Sequence, residues 1–185
     1  SLLAAKNNLG LSYSAAGRDE RAQDMLREVV RIRREMNGPE GSAGLAINIK
    51  NLATSLHLSG DFDEALVLLD EAEAMMRMYL PDASPYQATP HFTRALVYLD
   101  TGRPALAVPE AKATLTILEP VLDEAHYQLQ VTRCVLAEAL LGQGQVAEAR
   151  ILAEPALQGL LASGNAAVRY EQRCTATVQA LAELS

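Results

Sequence analysis

Leu9-Gly10-Leu11-Ser12-Tyr13-Ser14-Ala15-Ala16-Gly17-Arg18-Asp19-Glu20-Arg21-Ala22 is the stretch whose reading decides the fold. An apolar helical run stops at Gly17, two acids follow, and an alanine stands five places beyond the glycine. Glycine just past a helix end takes the left-handed conformation that satisfies orphan carbonyls. Acids in the next turn meet the positive end of a second helix dipole. The stretch reads as helix, tight turn, helix. The same order recurs around Gly60, Gly102 and Gly144, with Ala65, Ala107 and Ala149 five places on. The turn glycines are evenly spaced, and an interval held this closely is an internal repeat.

Packing explains the composition of the unit. Gly10 or Ala53 in the first helix, and Ala65 or Ala149 in the second, let antiparallel helices approach while Leu and Tyr fill the seam. Ala22, Met25, Leu26, Val29 and Met36 share one stripe of a second helix, as do Ala65, Leu68, Leu69, Ala72, Met76 and Tyr79 of the next. Pro104 suits a first helical turn. Pro109 and Pro155 lie inside second helices and predict local bends. No segment sustains two-residue alternation, so the chain is all-α. Breakers at Gly38-Pro39-Glu40-Gly41-Ser42, Pro81-Asp82-Ala83-Ser84-Pro85 and Glu119-Pro120 separate units at about 1–43, 44–85, 86–124 and 125–165, and 166–184 reads as a closing helix. One hairpin cannot cover its own apolar faces. Four therefore stack with the closing helix into a solenoid, and 1–185 is expected to be a single repeat domain.

Composition narrows the function. Of 185 residues, 49% are apolar and 21% charged, enough for a folded core. The formal charge of −7, from 16 basic and 23 acidic side chains, argues against nucleic acid, whose binding rests on clustered Lys and Arg. No run reaches the roughly 18 apolar residues of a membrane span, so no membrane partner is expected. Cys134 and Cys174, far apart in the chain, form neither a disulfide framework nor a Cys-x-x-Cys pair. That points to a reducing compartment and a cytoplasmic location.

The unit resembles the tetratricopeptide repeat, whose signature pairs Leu-Gly-x-x-Tyr with Ala-x-x-x-large; Leu9-Gly10-Leu11-Ser12-Tyr13 and Ala22-x-x-x-Leu26 carry it. The unit length of roughly 42 residues, with Asn7-Asn8-Leu9-Gly10 and Lys50-Asn51-Leu52-Ala53, is similar to the kinesin-light-chain class. The resemblance implies a right-handed α-α superhelix. Departures lie in the later units: Arg94 stands at a leucine position, and Ala111 and Ala153 replace the large residue.

Catalytic chemistry is scarce. His57, His91 and His126 form no His-Glu-x-x-His pattern, and Cys134 beside Val131 and Val135 reads as a small buried hydrophobe. No phosphate loop or nucleophile elbow is present. No catalytic residue, metal ligand or cofactor is expected, and the chain is read as not an enzyme. Arg27, Arg31 and Arg34 lie opposite the Met25–Val29 stripe and read as a solvated face, and Met75, Met76 and Met78 as core or seam.

The resemblance places the first helices on a concave surface, where asparagines hold an extended peptide. Asn8 and Asn51 take equivalent places one repeat apart. Each amide offers a donor and an acceptor that match a peptide unit. Asn7, Leu11, Lys50, Thr54, His57, Phe92, Leu96 and Glu138 are expected near the same surface. The function that follows is a non-enzymatic interaction module, binding a peptide or partner helix within a larger regulatory or scaffold protein. The other reading is self-association, with homo-oligomers formed through apolar solenoid ends, or an intramolecular regulatory element.

Overall fold

The computed structural model describes residues 2–164 and 168–184. Among them stand nine α-helices and no strand: α1 (Leu2–Ala15), α2 (Asp19–Asn37), α3 (Ala43–Ser59), α4 (Phe62–Tyr79), α5 (Ala88–Asp100), α6 (Pro104–Leu118), α7 (Tyr127–Gly142), α8 (Val146–Ala162) and α9 (Val168–Glu183). Of the expected closing helix, α9 supplies all but its edges; residues 166 and 167 lie outside the described residues.

All four hairpin turns share one geometry. Gly17, Gly60, Gly102 and Gly144 have φ of 67°, 90°, 68° and 75°. The residue after each glycine donates its backbone N–H to a carbonyl five residues back, on Tyr13, Leu56, Tyr98 and Leu140, at 2.7 to 2.9 Å. These are the large residues that close each first helix, so one bond ends the helix and sets the return direction. Asp19 and Glu20, Asp63 and Glu64, and Glu148 occupy the first turns of α2, α4 and α8. Pro104 opens α6.

The chain divides into two compact units, Ser1–Thr93 and Arg94–Ser185, with the boundary inside α5. In the first, α2 packs on both α1 and α3, and α4 on α3. Ala22, Leu26, Val29, Ile49, Leu56, Leu69 and Met76 are fully buried between them. Gly10 has the close approach its sequence position predicts: a Cβ there would stand 2.8 Å from Leu26 Cγ. Of the methionine cluster only Met76 is core. Met78 is exposed, and Met75 lies across Gly41, whose φ of 79° already requires glycine.

In the second unit α7 packs against α6, α8 and α9. Ala111 and Ala153, where the repeat pattern has a larger side chain, are fully buried. Both α6 and α8 run unbroken through Pro109 and Pro155. Each proline sits on an exposed face, with exposed Ala105 and Ile151 four residues earlier, so water reaches the carbonyls that lose a donor.

One expectation is overturned here. Cys134 and Cys174 are joined by a disulfide, with Cα atoms 5.3 Å apart. The physical reason is repeat geometry: α7 and α9 are first helices of successive units, and the sequence separation of 40 is nearly one repeat. Residues one repeat apart meet across that seam, so a widely spaced pair can still be neighbours.

Candidate functional site: the seam between first helices

In the first unit the seam between α1 and α3 is polar. Asn7 Oδ1 accepts from Asn48 Nδ2 at 2.9 Å and from Asn51 Nδ2 at 3.0 Å. Asn7 is 8% and Asn51 5% exposed. Their side chains are thus committed to each other, which narrows the expected peptide surface. Asn48 was not singled out by sequence, although it stands one helical turn before Asn51 and close to one repeat after Asn7. The repeat interval is the signal that finds it.

The neighbouring positions differ. Asn8 is exposed, and its Oδ1 accepts from Asn7 Nδ2 at 3.4 Å. Leu11 and Thr54 are half-buried, and the Thr54 hydroxyl donates to the Lys50 carbonyl at 3.0 Å. Lys50 is half-buried, and no described residue bonds its ammonium. Burial alone pushes its pKa down from 10.5 to about 8, because a charged amine is poorly solvated there. His57 is buried, its ring 6.1 Å from that of Phe62. Phe92, on the first unit's part of α5, is half-buried.

The other two expected residues belong to the second unit. Leu96 is buried. Glu138 is half-buried and bonded by Arg173 through Nε and Nη2, while Arg173 Nη1 reaches Asp100 at 2.8 Å. Burial opposes the Arg173 charge, but the two carboxylates outweigh it and hold its pKa above the ordinary value. This seam is therefore built from an ion-paired arginine and a disulfide. Arg94, at a leucine position, is 6% exposed and bonds both carboxylate oxygens of Glu110 at 3.1 Å, so the irregular residue is buried with its charge met.

The arginine run of α2 is only partly a solvated face. Arg31 pairs with Glu35 along its own helix at 2.7 Å. Arg27 is bidentate to Glu64 on α4, and Arg34 Nη2 reaches both oxygens of Glu71 on the same helix at 2.8 and 2.7 Å. The Glu64 hydrogen bond raises the Arg27 pKa, and the same bond lowers that of Glu64. His126 caps α7, its Nδ1 accepting from Gln128 N at 3.2 Å, and His91 lies 3.6 Å from Glu73. Among the described residues no group of three or more His, Cys, Asp or Glu could hold a metal ion, and no helix is long and apolar enough to cross a membrane.

Hairpins stacked through a repeating seam define a helical-repeat protein. Tetratricopeptide-repeat profiles match residues 1–78 and 130–155. The chain belongs to the tetratricopeptide-repeat family, with kinesin-light-chain-like repeats. It is similar in structure to the nearly identical TPR-like repeats of a Podosopora anserina kinesin light chain. There the TM-score is 0.77 at 21% identity, over 98% of this chain and 85% of that one. BtubC from P. vanneervenii gives a TM-score of 0.75 at 19% identity, over 89% of this chain and 65% of that one. MamA from Desulfovibrio magneticus gives 0.57 at 15%, over 98% and 94%. No curated protein sequence matches the chain. These likenesses place the fold in the all-α class of helical-repeat superhelices, and the tetratricopeptide-repeat family is one of protein–protein interaction modules.

Proposed function

We propose that the chain is a non-enzymatic docking module that holds a peptide or partner helix along the first-helix face of α1 and α3, within one repeat domain of a larger regulatory or scaffold protein. One observation carries this reading: Lys50 is a half-buried cation whose ammonium no described residue bonds. Its position next to Asn51, with exposed Asn8 next to Asn7, puts a charge and an amide on either side of the bonded asparagines. A carboxylate on the partner would meet Lys50, and Asn8 would meet partner backbone. Leu11 and Thr54 supply the flanking surface. His57 and Phe92, of the same unit, stay in the proposal as packing and boundary residues. A cytoplasmic location goes with this reading only while Cys134 and Cys174 are kept as thiols.

The test is selection from a random peptide library on the wild-type chain, followed by calorimetry of a selected peptide in buffers of different ionisation enthalpy at pH 8.5. Enrichment of Asp and Glu is expected, with proton uptake on binding that disappears in Lys50→Met. Binding that is unchanged in both Lys50→Met and Asn8→Ala would sink the proposal. Self-association is the second reading, favoured by Leu2 at 74% and Met36 at 68% exposure on the first hairpin. A molar mass by light scattering that does not change with concentration counts against it.

A further inference from the structure

Helix α9 is held by four kinds of contact. Leu181, Thr177 and Cys174 are buried. Arg150 Nη2 donates to the Leu181 carbonyl at 2.6 Å. Arg173 bonds Glu138 and Asp100, and the disulfide ties Cys174 to Cys134 of α7. Of these only the disulfide is covalent, and only the disulfide depends on the redox state of its surroundings.

We propose that Cys134–Cys174 is a redox latch on α9, and that its reduction lets α9 lift from α7 and uncovers the Glu138 carboxylate. A dithiol reductant supplies the two electrons and two protons. Its thiolate attacks one cysteine sulfur and forms a mixed disulfide while the other cysteine leaves as thiolate. The reductant's second thiol then displaces the first cysteine, so two cysteine thiols and a cyclic disulfide result. Cys134 is 4% exposed and Cys174 0%, so attack falls on Cys134 and waits for a brief opening of the seam. Once the bond is gone, α9 is held against the rest of its unit by non-covalent contacts alone, and elements held so open locally more readily than those tied covalently. When α9 lifts, Arg173 leaves with it, and Glu138 becomes a carboxylate on the surface of α7. The latch thus changes which charges α7 presents to solvent without any change of sequence. It stands independently of what binds α1 and α3.

The experiment is amide hydrogen exchange on the full chain, oxidised and after treatment with dithiothreitol, with thiols counted by alkylation and mass spectrometry. Carbodiimide labelling of Glu138 is read in the same samples. In the oxidised chain α9 should exchange as slowly as α7. Reduction should speed exchange in α9 by as much as about a thousandfold, the order expected when a closed loop of this length is freed. It should leave α3 unchanged and increase labelling of Glu138. Cys134→Ala with Cys174→Ala should behave as reduced in either buffer, and wild type under both conditions carries the test should that variant fail to fold. Three results would each overturn the latch: two free thiols in the oxidised chain, equal α9 exchange in both states, or loss of protection in α7 and α8 equal to that in α9.

Discussion

In the first unit, first helices one repeat apart are linked by three amides; in the second they are linked by a disulfide with an ion pair beside it. The first unit adds ion pairs between its second helices. Arg27–Glu64 and Arg34–Glu71 bridge α2 to α4. The same stacking problem has been solved once with many weak polar links and once with a single strong one. Weak links shared among several residues hold in any redox environment. A single covalent link makes its unit conditional.

Six variants and one pH series break or sharpen this contrast. Replacing both cysteines with alanine should have the largest effect, a loss of about 4 kcal/mol in non-reducing buffer from the freed loop between them. Urea unfolding followed by exchange in the second unit measures it. Asn7→Ala comes next, because it removes the acceptor shared by two buried donors; a loss of about 2 kcal/mol is expected. Asn7→Asp, which keeps the acceptor, should recover most of it. Gly10→Ala should cost about 1 kcal/mol by urea denaturation, since crowding against Leu26 exceeds the gain in helix propensity.

Lys50→Met tests burial of charge. The folded pKa, about 8, lies below the ordinary 10.5, so the unfolded chain binds more protons between those values. Wild-type stability should therefore rise with pH across that window and be lowest, and flat, below it. Lys50→Met should be about 1 kcal/mol more stable at pH 7, after allowance for partial solvation, and the gap should close as pH approaches 10.5. Thermal melts across that range check the sign. The smallest effect belongs to Arg27→Ala, about 0.5 kcal/mol and weaker in high salt, because the Glu64 pair is solvent-exposed. A larger loss would show that the outer ladder, not the amide seam, holds the first unit.

Much of this architecture was legible in the letters because it is periodic. Gly17 and its three counterparts mark turns by chemistry, and Ala22 and Ala65 mark close approach by size. The seams were harder. Asn51 reads as an exposed amide when its own helix is considered alone, and Cys134 reads as a lone hydrophobe. Their partners, Asn7 and Cys174, stand near one repeat interval away, and no short-range pattern shows them. Lys50 is legible as a charged residue of a first helix, but whether a neighbouring carboxylate meets it depends on side-chain reach, which spacing does not encode. Arg94 looked like a defect of the repeat for the same reason, since its Glu110 partner lies on the next helix.

The fixed offset across the seams has a kinetic consequence. Nearly every tertiary link described spans no more than about one repeat, from Lys6–Glu28 within the first hairpin to Asn7–Asn51 across the next seam; Arg173–Asp100 is the longest among the described residues. Loops closed during folding are therefore short, and rates fall mainly as contacts become more distant in sequence. As the chain leaves the ribosome, neighbouring hairpins within a unit can meet once a single further repeat has emerged, so assembly of each unit can keep pace with synthesis.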